Sequence, residues 1–319
     1  MPIVDDEQFH AERRTAITST DMAKILGLSP WGSPRSVYLE KVDPQPPRPM
    51  SLAARLGLEL EPTVARLFME DTGYRVRRLR GFYRSQDRSH VASHADYAII
   101  GERWLLECKT RRDDTGWGAP MTSVVPVDVW IQCQIEMLCL KKEITFVGVL
   151  FGFGEYRTLL VDRDDAFIKE ALARADQFWN ENVLAGVMPD VIFADLDDLK
   201  TEYPADTDGT LRTATPDIDV LIEKYAAARE LRLEAQRKED TLKARLQRFI
   251  GNNAGVQGNN GVVTWKRDNP NPQYDPEAYA LGLAALAVEQ GIPADVLARL
   301  KEESMSTRDP QRKFNWRKG

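Results

Sequence analysis

The segment Leu105-Leu106-Glu107-Cys108-Lys109-Thr110 sets a carboxylate and an ammonium two residues apart at the end of an apolar run. Side chains alternate faces along a strand, so Glu107 and Lys109 share a face and Cys108 takes the other if "WLLECKT" is extended. Asp96 stands on a second strand candidate, joined to the first through "IGERW". Hairpin pairing brings Asp96 near Glu107 and Lys109. Two carboxylates facing one side repel, and neither ionises cheaply without a cation. Hard oxygen ligands suit Mg²⁺, which takes one or two carboxylates and keeps its waters. A bound ion lowers the pKa of a water, and a neighbouring lysine orients that water or shares the charge of a pentavalent phosphate. The D-x10-E-x-K spacing therefore fits metal-assisted phosphodiester hydrolysis. It also arises by chance in charged chains, where an i, i+2 Glu/Lys pair is surface decoration.

Two helix candidates could face this strand end. In "VPVDVWIQCQIEMLCLKK", Gln132 and Glu136 share a face at ~100° per residue while Gln134 points away. "MSLAARLGLELEPTVARLFMEDTGY" is periodic, stops at Gly73, and carries Glu59 and Glu61 before Pro62. Proline is acceptable in a first helical turn, which would set Glu61 near a positive helix end. An ordinary N-terminal helix charge is the bland reading of either glutamate.

The remaining elements form an α/β plan. "TSTDMAKILGLSPWGSP" reads as a short helix capped by Ser19 or Thr20 and stopped by Gly27, and "SPRSVYLEKV" as another. Pro44 to Pro49 is a stiff linker. "RVRRLRGFYR", "HVASHADYAII" and "RWLLECKT" are three strands. "EITFVGVLFGFGEYRTLLVD" is a strand pair, and a long amphipathic helix follows from Arg163 to Gly186. Helices flanking a central mixed sheet are expected, with a smaller α+β C-terminal segment. Residues 1–190 are read as one domain, 191–216 as an acidic linker, and 217–319 as a long charged helix, Asp219 to Ile250, followed by a turn and strand, a helix and a final strand. The long helix is expected to pack on a partner helix or subunit.

At 319 residues, with 43% hydrophobic and 29% charged composition, the sequence is that of a globular protein with a sizeable core. No apolar run reaches the ~18 residues of a membrane span, and the acidic N-terminus lacks the apolar region of a secretory signal. Cys108, Cys133 and Cys139 form no C-x-x-C pair, which argues against a disulfide framework and fits a reducing, cytoplasmic setting. The net charge of −6 gives no global attraction to nucleic acid. Locally, Arg75, Arg77, Arg78, Arg80, Arg84 and Arg88 interleave with Tyr74, Phe82 and Tyr83, a pattern of phosphate contact or of solvated surface charge.

The succession "ITSTDMAKILGLSPWGSP", "RLGLELEPTVARLFMEDTGY", "HADY…LLECKT" and "VPVDVWIQCQIEM" resembles the YqaJ-type viral recombinase nucleases. These are relatives of phage lambda exonuclease in the restriction-endonuclease-like superfamily with the PD-(D/E)-x-K motif. The resemblance spans roughly residues 10–160. It implies that Asp96, Glu107 and the Cys108 backbone carbonyl hold Mg²⁺ (or Mn²⁺), that Lys109 assists the attacking water, and that Glu61 approaches a second ion. It sets Gln132 near the catalytic centre and Arg13 and Thr20 around a 5′-terminal phosphate. His94 takes the place of a serine there, Ala95 replaces the motif's proline, and Tyr97 the glycine after the aspartate. Arg75, Arg77, Arg78 and Arg80 would follow the DNA backbone. The implied activity is exonucleolytic removal of the 5′-ended strand of double-stranded DNA, leaving 3′ single strands. The implied partners are duplex ends, a single-strand annealing protein and further copies of the chain, as in a trimeric ring. A RecB-like or structure-specific endonuclease and a non-catalytic DNA-binding scaffold are the alternatives.

Overall fold

The computed structural model describes residues 7–43, 50–152, 154–205, 209–259, 261–266, 293, 295, 296 and 299. The chain divides into two compact units between Glu202 and Tyr203. The first opens with α1 (Glu7–Arg14), β1 (Ile17–Thr18), α2 (Ser19–Ile25) and α3 (Pro34–Val42). Thr18, one residue before the expected caps, is the N-cap of α2, and its backbone N–H donates to Asp21 Oδ2 at 3.0 Å. Ser33 caps α3. The Pro44–Pro49 linker lies outside the described residues.

Helix α4 (Leu52–Thr72) begins at Ser51, whose hydroxyl accepts from Ala54 N, and ends at Gly73 with φ +76°, a conformation suited to a residue without Cβ. Pro62 therefore sits inside the helix, and Glu61 is not near its positive end as expected. An interior proline forfeits one backbone hydrogen bond. Burial of Val64, Ala65 and Phe68 on the sheet outweighs that loss.

The two long strand candidates each break in two. β2 (Val76–Arg78) and β3 (Tyr83–Arg84) come from one, β4 (Val91–Ser93) and β5 (Tyr97–Ile99) from the other. A three-stranded sheet has the order β1-β4-β3. The central five-stranded sheet has the order β2-β5-β6-β7-β8, with β6 (Trp104–Arg111), β7 (Ile144–Phe151) and β8 (Glu155–Asp162). β6 and β7 are parallel and the other pairs antiparallel. The break at 94–96 has a physical cause: β4 hydrogen-bonds to β1 and β3, whereas β5 hydrogen-bonds to β2 and β6.

The central sheet is covered on both faces. Leu106, Tyr97, Ile99 and Phe146 pack with Ala65 and Phe68 of α4. Leu105, Ala98, Val147 and Val149 pack with Val129, Cys133 and Met137 of α5 (Val127–Leu140). Gly148 lies under α4: a Cβ there would come within 3.0 Å of Val64 and of the Tyr156 hydroxyl. α6 (Asp165–Phe178) continues into a π-helical turn, Trp179–Leu184. The cysteines are free. No helix among the described residues is long and apolar enough to cross a membrane.

The stretch expected as linker is not uniform. A 3-10 turn at Phe193–Asp195 and α7 (Leu196–Glu202) belong to the first unit. Asp195 is fully buried; it accepts from the Ser33 hydroxyl and, at 2.8 Å, from Ile192 N. The acidic composition conceals this one carboxylate with an inward task. The second unit contains α8 (Pro216–Ile250) and a hairpin of β9 (Gly255–Gly258) and β10 (Gly261–Thr264). The helix and strand expected after residue 270 fall largely outside the described residues.

Ser33→Ala leaves buried Asp195 one donor short, a cost of about 1–3 kcal/mol. The expected result is faster amide hydrogen exchange across residues 192–202 with protection of α5 unchanged. Equal protection of 192–202 in both chains would show that the Ser33 contact does not hold this segment.

Candidate active site

The register of β5 on β6 pairs Tyr97 with Leu106 and Ala98 with Leu105, so its continuation sets Asp96 opposite Glu107. Residues opposite one another share a face. Leu79 N donates to the Asp96 carbonyl at 2.8 Å, and Cys108 N donates to Asp96 Oδ2 at 2.9 Å. The Cys108 amide thus holds the Asp96 carboxylate against β6. Glu107 and Lys109 lie on the Leu105 face, under α5.

Gln132 closes the arrangement. Lys109 Nζ donates to Glu107 Oε1 at 2.5 Å and to Gln132 Oε1 at 2.9 Å. The Gln132 amide nitrogen donates to Glu107 Oε1 and Glu136 Oε1, each at 2.7 Å. Gln134 turns away, as helical spacing requires. Its amide donates to the Asp162 carbonyl and its oxygen accepts from Asp164 N, both at 2.8 Å.

Burial and crowding shape the charges. Asp96 is held well above the ordinary carboxylate range, by burial first and then by the charges of Glu107 and Glu61, against Lys109 and the Cys108 amide. Glu136 is raised well above its usual range by burial, then by Glu107 and Asp96. Burial opposes the charged form of Lys109, but Glu107 and Asp96 outweigh it and raise its pKa. Glu107 Oε2 is buried and has no hydrogen-bond partner among the described residues. Among those residues, no three His, Cys, Asp or Glu side chains form a ready metal shell. Two facing carboxylates, one with an unpartnered oxygen, nevertheless suit a hard divalent ion that keeps most of its waters.

Glu61 comes from α4, on the other face of the sheet. Its Oε1 lies 3.1 Å from an Arg78 nitrogen. Burial raises its pKa, Arg78 and a hydrogen bond from Tyr97 oppose that, and Glu107 adds to it. Of the arginine tract, Arg75, Arg77, Arg78 and Arg80 are exposed on β2 and beside it. Arg84 is committed to Thr15 and Ser89, and Arg88 to Asp176. Arg77 instead shares a cleft with Lys141 and Lys142 at the end of α5. Lys142 has a lowered pKa, from burial and then from the charges of Arg103 and Arg77.

Arg13, Thr20 and His94 also come together. Arg13 Nη1 donates to Thr20 Oγ1 at 3.5 Å. His94 packs its ring 4.8 Å from Phe82, and burial followed by the Arg13 charge lowers its pKa, which favours the neutral imidazole. Arg13 is pinned by Asp21 and Glu40, each at 3.2 Å. Beneath them, Lys41 Nζ meets Asp21 Oδ2 at 2.8 Å with neither side chain exposed. Burial alone would raise Asp21, but Lys41, then Arg13 and Lys24, hold it far below the carboxylate range. Asp21 and Lys41 were missed in the sequence. The signal for Lys41 was its spacing: Val37, Tyr38 and Lys41 line the buried side of α3.

The first unit is thus a helix-flanked mixed sheet with neighbouring carboxylates and a lysine at one strand end. Residues 8–143 match the YqaJ-like viral recombinase domain. A Bacillus subtilis (strain 168) protein, the uncharacterised YqaJ, is 30% identical over 188 residues, 57% of this chain and 58% of the relative. The chain thus spans little more than half the length of that curated relative. Among solved structures, the chain is similar to an alkaline exonuclease from Laribacter hongkongensis at 17% identity and TM-score 0.45, over 62% of this chain and 97% of that one. It is also similar to a phage-related exonuclease from Haemophilus somnus 129PT at 12% identity and TM-score 0.42, over 53% and 96%. Both are distant likenesses.

Because folding depresses the pKa of Asp21, its ionised form stabilises the fold above the ordinary carboxylate pKa, and this contribution is lost as pH falls toward the lower folded value. Asp21→Asn removes the buried counter-charge of Lys41, leaving it only Glu40 and the Arg13 carbonyl, and costs about 3 kcal/mol at neutral pH. Urea unfolding should show this deficit constant above about pH 4–5 and shrinking below. A deficit that grows on acidification contradicts the assignment.

Proposed function

We propose that the chain is a divalent-cation-dependent DNA exonuclease that degrades the 5′-ended strand of duplex DNA. The observation that carries this reading is Asp96, held against β6 by the Cys108 amide and next to the charge of Glu107, with Lys109 and Gln132 fixed at the same strand end. The match of residues 8–143 to the YqaJ-like viral recombinase domain agrees with it. Asp96 and Glu107, with the Cys108 carbonyl, would hold Mg²⁺ or Mn²⁺, and Glu61 a second ion. When bound, such an ion polarises the scissile phosphate and acidifies a water.

The chain's own groups do the rest. Lys109, fixed by Gln132, orients the incoming water and offsets negative charge on the phosphate. The water oxygen bonds to phosphorus, the bond to the 3′ oxygen breaks, and that oxygen takes up a proton. Arg13, Thr20 and His94 receive the 5′-terminal phosphate. Arg75, Arg77 and Arg80, with Lys141 and Lys142, attract the backbone without reading sequence. Assembly of several copies around the duplex and transfer of the exposed 3′ strand to an annealing protein belong to the same proposal.

The test is digestion of linear and closed-circular duplex with and without Mg²⁺, using ends labelled on either strand and bearing a 5′-phosphate or 5′-hydroxyl. Mononucleotide release from linear DNA alone, abolished by chelation, is expected. Nicked circles would indicate an endonuclease, and no release a scaffold. Glu107→Ala should retain DNA binding while its rate falls at least about 100-fold. Arg77→Ala should weaken binding equally across sequences and reduce the slope of log K against log salt by about one; an unchanged slope removes Arg77 from the DNA track.

A further inference from the structure

Buried hydroxyls join the two parts of this site. Ser93, next to His94, donates its hydroxyl to Ser19 Oγ at 3.2 Å, and Ser19, next to Thr20, donates to Glu136 Oε1 at 3.4 Å. Glu136 Oε1 also takes the Gln132 amide, whose nitrogen holds Glu107 and whose oxygen holds Lys109. Ser19, Ser93 and Glu136 are at most 2% exposed. The donors converge on Glu136 Oε1, Ser93 through Ser19 from one side and the Gln132 amide from the other, and the same amide holds the catalytic carboxylate. Neither serine touches the catalytic groups, and Glu136 reaches them only through Gln132.

We propose that Ser93, Ser19 and Glu136 are positioning residues that link the Arg13/Thr20/His94 pocket to the Gln132 amide, so that a terminal phosphate in the pocket sets the alignment of Lys109 and Glu107. The inference rests on the exonuclease reading above and adds to it how an occupied pocket governs the rate. The physical basis is directional. Turning the Gln132 amide over would face its oxygen to two carboxylates, so its orientation follows Glu136 and Glu107. Ser19 and Thr20 are neighbours at the start of α2, so a shift of one on binding phosphate moves the other. Ser19 Oγ accepts from Ser93 and donates to Glu136, so that movement is passed on to the carboxylate.

The experiment measures kcat and KM on duplexes with a 5′-phosphate or a 5′-hydroxyl, alongside equilibrium binding of both in chelator. Ser19→Ala should keep phosphate-dependent binding within about twofold and lower kcat on the phosphorylated end by about 10- to 100-fold. It should leave the hydroxyl end nearly unchanged, so the kcat preference collapses. Glu136→Ala, which also releases the Gln132 amide, should lower kcat on both ends and more on the phosphorylated one. Glu136→Gln retains an acceptor oxygen and should restore the preference. Ser19→Ala combined with Thr20→Ala should be non-additive in kcat. Equal loss on both ends, a change in KM alone, or an unchanged preference in Ser19→Ala overturns the relay while leaving the nuclease reading intact. A wild-type chain that cuts neither duplex overturns both.

Discussion

Like charges facing one another across a strand pair are unstable unless opposite charge comes between them, and the first unit is arranged around that constraint. The β5–β6 register sets Asp96 across from Glu107, with Glu61 adding negative charge from the far side of the sheet. Within the fold, Lys109 and the Cys108 amide supply part of the compensation. The charge left over is what the proposed cation would neutralise. An apolar strand end would be more stable in itself, so the arrangement is explained by chemistry and not by folding.

The second charged cluster has the opposite balance. Asp21 is surrounded by Lys41, Arg13 and Lys24 and stays ionised, and Glu40 shares Arg13 and Lys41. There the ion pairs serve as scaffold: they hold α1, α2 and α3 together and keep the Arg13 guanidinium in place beside Thr20 and His94. An arginine fixed this way meets an anion without first losing its own conformational freedom. Ser19 and Ser93 carry buried hydrogen bonds from the start of α2 to Glu136 on α5 inside an otherwise apolar packing of the two helices.

Much of this was legible because it depends on short spacings. The i, i+2 alternation set Glu107 and Lys109 together, and the i, i+4 spacing set Gln132 with Glu136 and turned Gln134 away. The strand pair β7–β8, the helix from Pro216 and the stop at Gly73 follow from local pattern as well. Legibility failed where a partner distant in sequence overrode the local signal. "HVASHADYAII" is one apolar run, but its halves bond to different sheets, and the bend between them is what presents His94 and Asp96. Pro62 reads as a helix start, yet α4 runs through it because its buried face is held on the sheet.

By itself, then, the sequence determined the kinds of group at the site, their order, and which of them share a strand or helix face, since each is a consequence of backbone repeat. Only the tertiary structure decided which charges are compensated. Lys41 meets Asp21, Arg78 meets Glu61, and Ser19 meets Glu136 across 20, 17 and 117 residues of chain. No local periodicity reaches that far. Such pairings are selected by burial, where an ionised group left without a partner costs more than the fold can spare.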